Sequence, residues 1–180
     1  MCEHNGVDDL ELLVHPVRLR VVHALSGGRP LTTTELAERI HDVSKATLYR
    51  HVGLLAEAGI LEVAEEQRVR GAVERSYRLR RDRAVVDADT AASATLDDHR
   101  KVFATAMTTL IAEFTAYLGR AGADPAEDLV GYRQHSVWLS HEELADLITD
   151  LREVLLPRLH NEPAAGRRQH LISPILFPLE

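Results

Sequence analysis

The sequence predicts a mainly helical α+β protein in two parts: an N-terminal domain over residues 1–83, and a region over 84–180 made of a long helix and a small α/β domain. Three observations predict it. Three short helical patterns are followed by two extended runs before residue 80, a long apolar seam with alternating spacing begins after residue 96, and the charge changes between the halves. With 180 residues and 45% hydrophobic content, the chain has enough apolar material for one large domain or two small ones, and the pattern favours two.

The first element is HPVRLRVVHALS, residues 15–26. Val17, Leu19, Val21, Val22 and Leu25 fall on a helical stripe, Pro16 suits a first turn, and Gly27 and Gly28 lie beyond the end. After Pro30 come Leu31 and three threonines, any of which can cap a second, short helix through Glu35, Leu36, Ala37 and Ile40. A turn of three residues, HDV, leads to Ser44, which suits the cap of a third helix. Its Leu48, Val52 and Leu55 recur at i, i+4 and i+7. Two helices joined by so tight a turn form a helix-turn-helix.

Gly59 is placed to end the third helix, and Leu61, Val63 and Ala64 begin an extended run. The return run VERSYRL alternates Val73, Tyr77 and Leu79 with polar residues, although Arg75 breaks its apolar face. Between them QRVRGA carries Arg68 and Arg70 and turns at Gly71. Three helices followed by a basic hairpin make a winged helix-turn-helix.

RRDRAVVDADTAASA reads as a linker or the polar start of a helix. From Leu96 a long helix follows, with Phe103, Met107, Leu110, Phe114, Tyr117 and Ala121 spaced alternately four and three apart. GRAGADPAED interrupts it. VGYRQHSVWLS is predicted as a strand, and SHEELADLITDLREVLLPRL as an amphipathic helix opened by a Ser140/Glu143 capping box. HLISPILFPLE is predicted as a terminal strand, held to an edge or an irregular tail by Pro174 and Pro178.

The net charge of −7 is unevenly spread. Residues 1–83 carry 13 basic against 13 acidic side chains and residues 84–180 carry 8 against 15, so the whole excess lies in the second half. Residues 44–83 hold 9 basic against 6 acidic, a local +3 that begins at the third helix. With Leu48, Val52 and Leu55 turned inward, Lys45, Ala46, Thr47, Tyr49 and Arg50 remain on the outer face near its N-terminus. Those are the positions from which a helix-turn-helix reaches base edges in the major groove. Arg50 or Lys45 suits guanine, Thr47 and Ala46 a thymine methyl, and the hydroxyls of Ser44 and Tyr49 phosphate, while Arg68 and Arg70 would lie over neighbouring backbone or minor groove. A charged outer helical face is also what plain solvation produces, and helix-turn-helix units also bind proteins; the basic hairpin tips the reading towards double-stranded DNA.

HPVRLRVVHAL, TTTELAERI, VSKATLYRHVGLLAEAGIL and VRGAVERSYRL, in this order, resemble the winged-helix domain of ArsR-like transcriptional regulators in the branch with an appended C-terminal domain. The resemblance covers about residues 10–81. It implies a dimeric transcription factor, most often a repressor, with Lys45, Thr47, Tyr49 and Arg50 on the recognition helix and Arg70 and Arg75 in or beside the wing. Metal-sensing members of that family place paired cysteines in a DNA-binding helix, and TELAERIH, residues 34–41, contains none, which excludes metal sensing there.

Other chemistry finds little footing. Cys2 with His4, and His160, Glu162 and His170, are the nearest approaches to a metal site, and neither set has the tight Cys spacing or helical His pairing of a ligand cluster. No nucleophile with a base, paired acids or Gly-rich phosphate loop points to an enzyme, and no cofactor is expected. The single cysteine precludes an intrachain disulfide, and no leader pattern or membrane-length apolar stretch is present, so a soluble cytoplasmic protein without membrane contact is expected.

DNA's pseudo-twofold symmetry favours proteins that present two recognition helices, so a homodimer is expected, with Phe103, Met107, Leu110, Phe114 and Tyr117 as its seam. The plainer role of the same stripe is to pack within the chain against Leu144, Leu147, Ile148, Leu151 and Leu155, and both are expected. Tyr132 and Trp138, with Arg133 orienting a polar group, are the candidate lining of a pocket for a small apolar effector; core packing is the plainer role for such residues. The alternative function is a winged-helix adaptor that binds protein instead of DNA.

Overall fold

A computed structural model describes residues 12–69, 72–80, 83 and 93–179. Its described elements are α1 (Pro16–Leu25), β1 (Leu31–Thr32), α2 (Thr33–Arg39), α3 (Lys45–Glu57), β2 (Leu61–Val69), β3 (Ala72–Leu79), α4 (Leu96–Leu118) and α5 (His141–Leu159). By contacts the chain divides into two units, Met1–Ala116 with Pro163–Glu180, and Tyr117–Glu162.

The N-terminal helices form where local chemistry directs them. His15 caps α1 by accepting the Val17 N–H at its Nδ1, 3.2 Å away, and Pro16 occupies the first turn, where its missing N–H is not needed. Of the three threonines, Thr32 is the cap of α2. Its hydroxyl accepts the Glu35 N–H at 3.1 Å, and the Glu35 carboxylate accepts the Thr32 N–H at 2.8 Å, a reciprocal capping box. At the end of α3, Gly59 adopts φ +74°, which lets its N–H reach the Ala56 carbonyl and the Ile60 N–H reach that of Leu55, both at 3.0 Å. A side chain there would strain the turn.

The three helices and the base of the hairpin enclose one core. Val21, Leu25, Leu31, Leu36, Ile40, Leu48, Val52, Leu55, Ile60 and Leu61 are all buried in it. The sheet has the order β1-β3-β2, all antiparallel, with Leu31 opposite Tyr77 and Leu61 opposite Leu79. The short β1 was not expected: the threonine run reads as cap material, yet Leu31 and Thr32 also pair with β3 and seat Leu31 in the core. A register shift between Val63 and Glu65 puts a bulge into the hairpin. Beyond it the hairpin leaves the core, so the apolar alternation that Arg75 interrupts is no longer required.

In the first unit, α4 has one buried residue, Thr109, and Phe103 meets Phe177 edge to face at 6.3 Å. In the second, α5 begins at the predicted Ser140/Glu143 capping box, and Tyr117 donates its hydroxyl to Asp128 at 2.9 Å.

The two strands predicted in the second half are not formed. Among the described residues, 130–140 and 167–179 belong to no ladder, and 93–179 contain no strand, so the expected small α/β domain has helices but no sheet in the single chain. A strand exists only through its neighbour's hydrogen bonds, and alternation supplies the side-chain pattern but not the neighbour. Pro174 and Pro178 also remove two donors from the terminal segment.

Candidate nucleic-acid interface

The candidate interface is built on the first two turns of α3. Leu48, His51, Val52 and Leu55 face the core, which leaves Ser44, Lys45, Ala46, Tyr49 and Arg50 exposed and Thr47 half-buried. The period of the helix thus sorts the residues as the sequence does. Ser44 caps α3 by accepting the Thr47 N–H at 3.2 Å, and its hydroxyl donates to the Thr47 hydroxyl at 2.9 Å. With its hydroxyl so engaged Ser44 serves the cap, and Thr47 keeps its hydroxyl hydrogen for another acceptor.

Beneath this face lies a feature not expected from the sequence. His51, only 2% exposed, stacks on His15 with ring centroids 4.3 Å apart. Burial, then the nearby charges of His15, Arg50 and Arg18, push the His51 pKa down to about 4, so the ring is neutral at pH 7. His15 is lowered too, by burial first and then by Arg18 and Arg50. A histidine seven residues after a predicted helix cap gave no sign of this, because its partner is the cap of another helix.

The wing is more balanced than its arginines suggest. Arg75 lies 2.7 Å from Glu66, its cross-strand neighbour, and Arg78 lies 3.9 Å from Glu62, also its neighbour. Such pairs on an exposed hairpin are screened by solvent and serve mainly to hold the side chains across the ladder. Arg75 is thereby turned towards Glu66. Arg68 is exposed near the tip of the hairpin, and Arg70 lies outside the described residues.

The residues of the expected seam and pocket lie apart from this surface in the chain. Along α4, Phe103 is exposed and Met107, Leu110, Phe114 and Tyr117 are half-buried. Tyr132, Arg133 and Trp138 are all exposed on an extended segment, Trp138 at 89%, so in the single chain they do not line an enclosed cavity. Among the described residues no group of three or more His, Cys, Asp or Glu is placed to hold a metal ion; Cys2 and His4 lie outside them. No helix of the described residues is long and apolar enough to cross a membrane.

The family of helix-turn-helix domains matches residues 13–64, from just before α1 to the start of β2. The match covers the three helices and the candidate recognition surface. No curated protein matches the chain.

Proposed function

We propose that the protein is a sequence-specific DNA-binding transcriptional regulator of the ArsR-like kind, most simply a repressor, that acts in the cytoplasm. It binds an inverted-repeat operator as a homodimer and is not an enzyme. The observation that carries this reading is the division of α3 inside a helix-turn-helix domain: Leu48, Val52 and Leu55 are buried, and Lys45, Tyr49 and Arg50 stand exposed at its N-terminal end. In this reading residues 1–83 are the DNA-binding domain. Arg50 and Lys45 read base edges, Thr47 and Tyr49 contact bases or phosphate, and Arg68 and Arg70 reach the adjacent backbone from the wing, with Arg75 holding the hairpin through Glu66.

The homodimer rests on the region from residue 84 on. Phe103 of the predicted seam is exposed and Met107, Leu110, Phe114 and Tyr117 are half-buried, and the 130–140 and 167–179 segments belong to no ladder among the described residues. A second copy supplies both missing things, an apolar face for the seam and a neighbouring strand. A small apolar effector that binds this region would shift the spacing of the two recognition helices. The surplus of acidic side chains there, 15 against 8 basic, keeps this half off the duplex.

The test is selection from a library of random duplexes over a salt series, with Arg50→Ala alongside. The expected result is an inverted repeat, a log-log salt slope of about 0.9 per phosphate contacted, and loss of about 1–3 kcal/mol with relaxed preference at one base position in the variant. Weak, sequence-indifferent binding by both proteins would replace this reading with a protein-binding adaptor.

A further inference from the structure

Arg20 is the unusual side chain of the core. It lies on α1, is 2% exposed, and carries a charge that no neighbouring apolar residue can compensate. Two carboxylates from distant elements do so. Its Nη1 donates to Asp42 Oδ2 at 2.7 Å, and its Nε lies 3.5 Å from Glu113 Oε1. Asp42 belongs to the turn between α2 and α3, two residues before the cap Ser44; Glu113 belongs to α4, one turn beyond the buried Thr109. Burial opposes the charge on Arg20, and the hydrogen bond to Asp42 followed by the two negative charges more than offsets it, so the guanidinium stays charged.

The two arms are unequal. The Asp42 arm is a short charge-assisted hydrogen bond, whereas Arg20 Nε and Nη2 make no hydrogen bond, so Glu113 supplies charge at a distance where a small displacement of α4 changes the contact. A guanidinium offers planar, fixed donors, and its orientation towards one carboxylate sets its orientation towards the other. A movement of α4 is therefore felt at Asp42, and Asp42 sits at the start of the helix that carries Lys45 to Arg50.

We propose that Arg20 is a positioning residue that couples α4 to the recognition helix, one buried guanidinium holding the helix-turn-helix turn through Asp42 and sensing α4 through Glu113. The coupling is a property of the free protein. Its use, control of operator binding by whatever α4 packs against, rests on the function proposed above.

The experiment is amide hydrogen exchange on the full chain, comparing the parent with Glu113→Gln, Asp42→Asn and the double variant, followed by operator titration of the same proteins. Glu113→Gln keeps the shape of the side chain and removes its charge, at a position far in sequence from the turn. It is expected to speed exchange at residues 41–47 about fivefold or more while the core amides of α1 keep their rates. The double variant is expected to exchange no faster than the quicker single one, because both substitutions break one network. Unchanged exchange at 41–47 in Glu113→Gln, a uniform rise across all amides, or simple multiplication of the two single effects would overturn the coupling. Should Glu113→Gln fold poorly, Glu113→Asp retains the charge and shortens the reach, and the same local rise is expected from it. A parent that selects no operator, with the turn still responding to Glu113→Gln, would sink the regulator and leave the coupling standing.

Discussion

Residues 12–80 and residues 93–179 are patterned alike and packed very differently. Both have amphipathic helices opened by well-formed caps. Yet among the described residues the 13 buried hydrophobic ones run from Val21 to Leu79, while from residue 93 onward only Thr109 is buried. In the first region each apolar stripe meets another: α1 and α3 face one another across Val21, Leu25, Leu48 and Val52, and β1 and β3 close one side. In the second, Trp138, Ile172 and Phe177 remain in water. The difference teaches that patterning specifies a face, whereas stability needs the face to be covered.

The largest effect that would sharpen this contrast is in the core. Leu55→Ala is expected to cost about 2–5 kcal/mol and to remove cooperative unfolding of the N-terminal region in urea, whereas Trp138→Ala leaves that transition within about 0.5 kcal/mol of the parent. Equal losses from both would mean that the two regions share one core.

Next comes acid. The unfolded His51 takes up a proton near pH 6.5 and the folded one near 4, so the unfolded chain binds more protons in that window. Stability from this group is complete above 6.5, falls as pH drops towards 4, and levels off below, by up to about 3 kcal/mol. Urea titrations at pH 5 and pH 7 are expected to differ in this sense, and His51→Gln is expected to flatten the difference. No slope in the parent would contradict a buried neutral ring.

The smaller effects concern the caps. Ser44→Ala is expected to lower N-terminal stability by about 1 kcal/mol and to weaken operator binding through the loosened first turn of α3. Ser140→Ala removes a cap of the same chemistry from α5 and is expected to leave the N-terminal transition unmoved, with its effect confined to helix content. Circular dichroism with urea separates the two.

Much of the N-terminal fold was legible in the sequence because it is local. The 3.6-residue recurrence of Leu48, Val52 and Leu55, the Ser44 cap and the glycine stop at Gly59 act over a few residues and appear as read. The division of α3 into a buried and an exposed face followed from the same period. The role of Arg75 did not, since nothing in VERSYRL reveals that Glu66 stands opposite. The strand expected over 130–140 did not form, because a strand requires a neighbour and none pairs with it among the described residues.

By itself the sequence determined where the helices lie, the outward set Lys45, Tyr49 and Arg50, the capping box at Ser140, and the confinement of excess acid to the second half, all of which depend on composition or on contacts within one helical turn. Only the tertiary structure decided that Thr32 both caps α2 and joins a third strand, that His51 is buried on His15, and that Arg20 spans the turn and the long helix. The pairing of Thr32 with Ser76, of His51 with His15 and of Arg20 with Asp42 and Glu113 each joins residues far apart in sequence. Such a contact depends on how packed elements are placed, and no local pattern records which distant carboxylate, ring or strand will stand opposite.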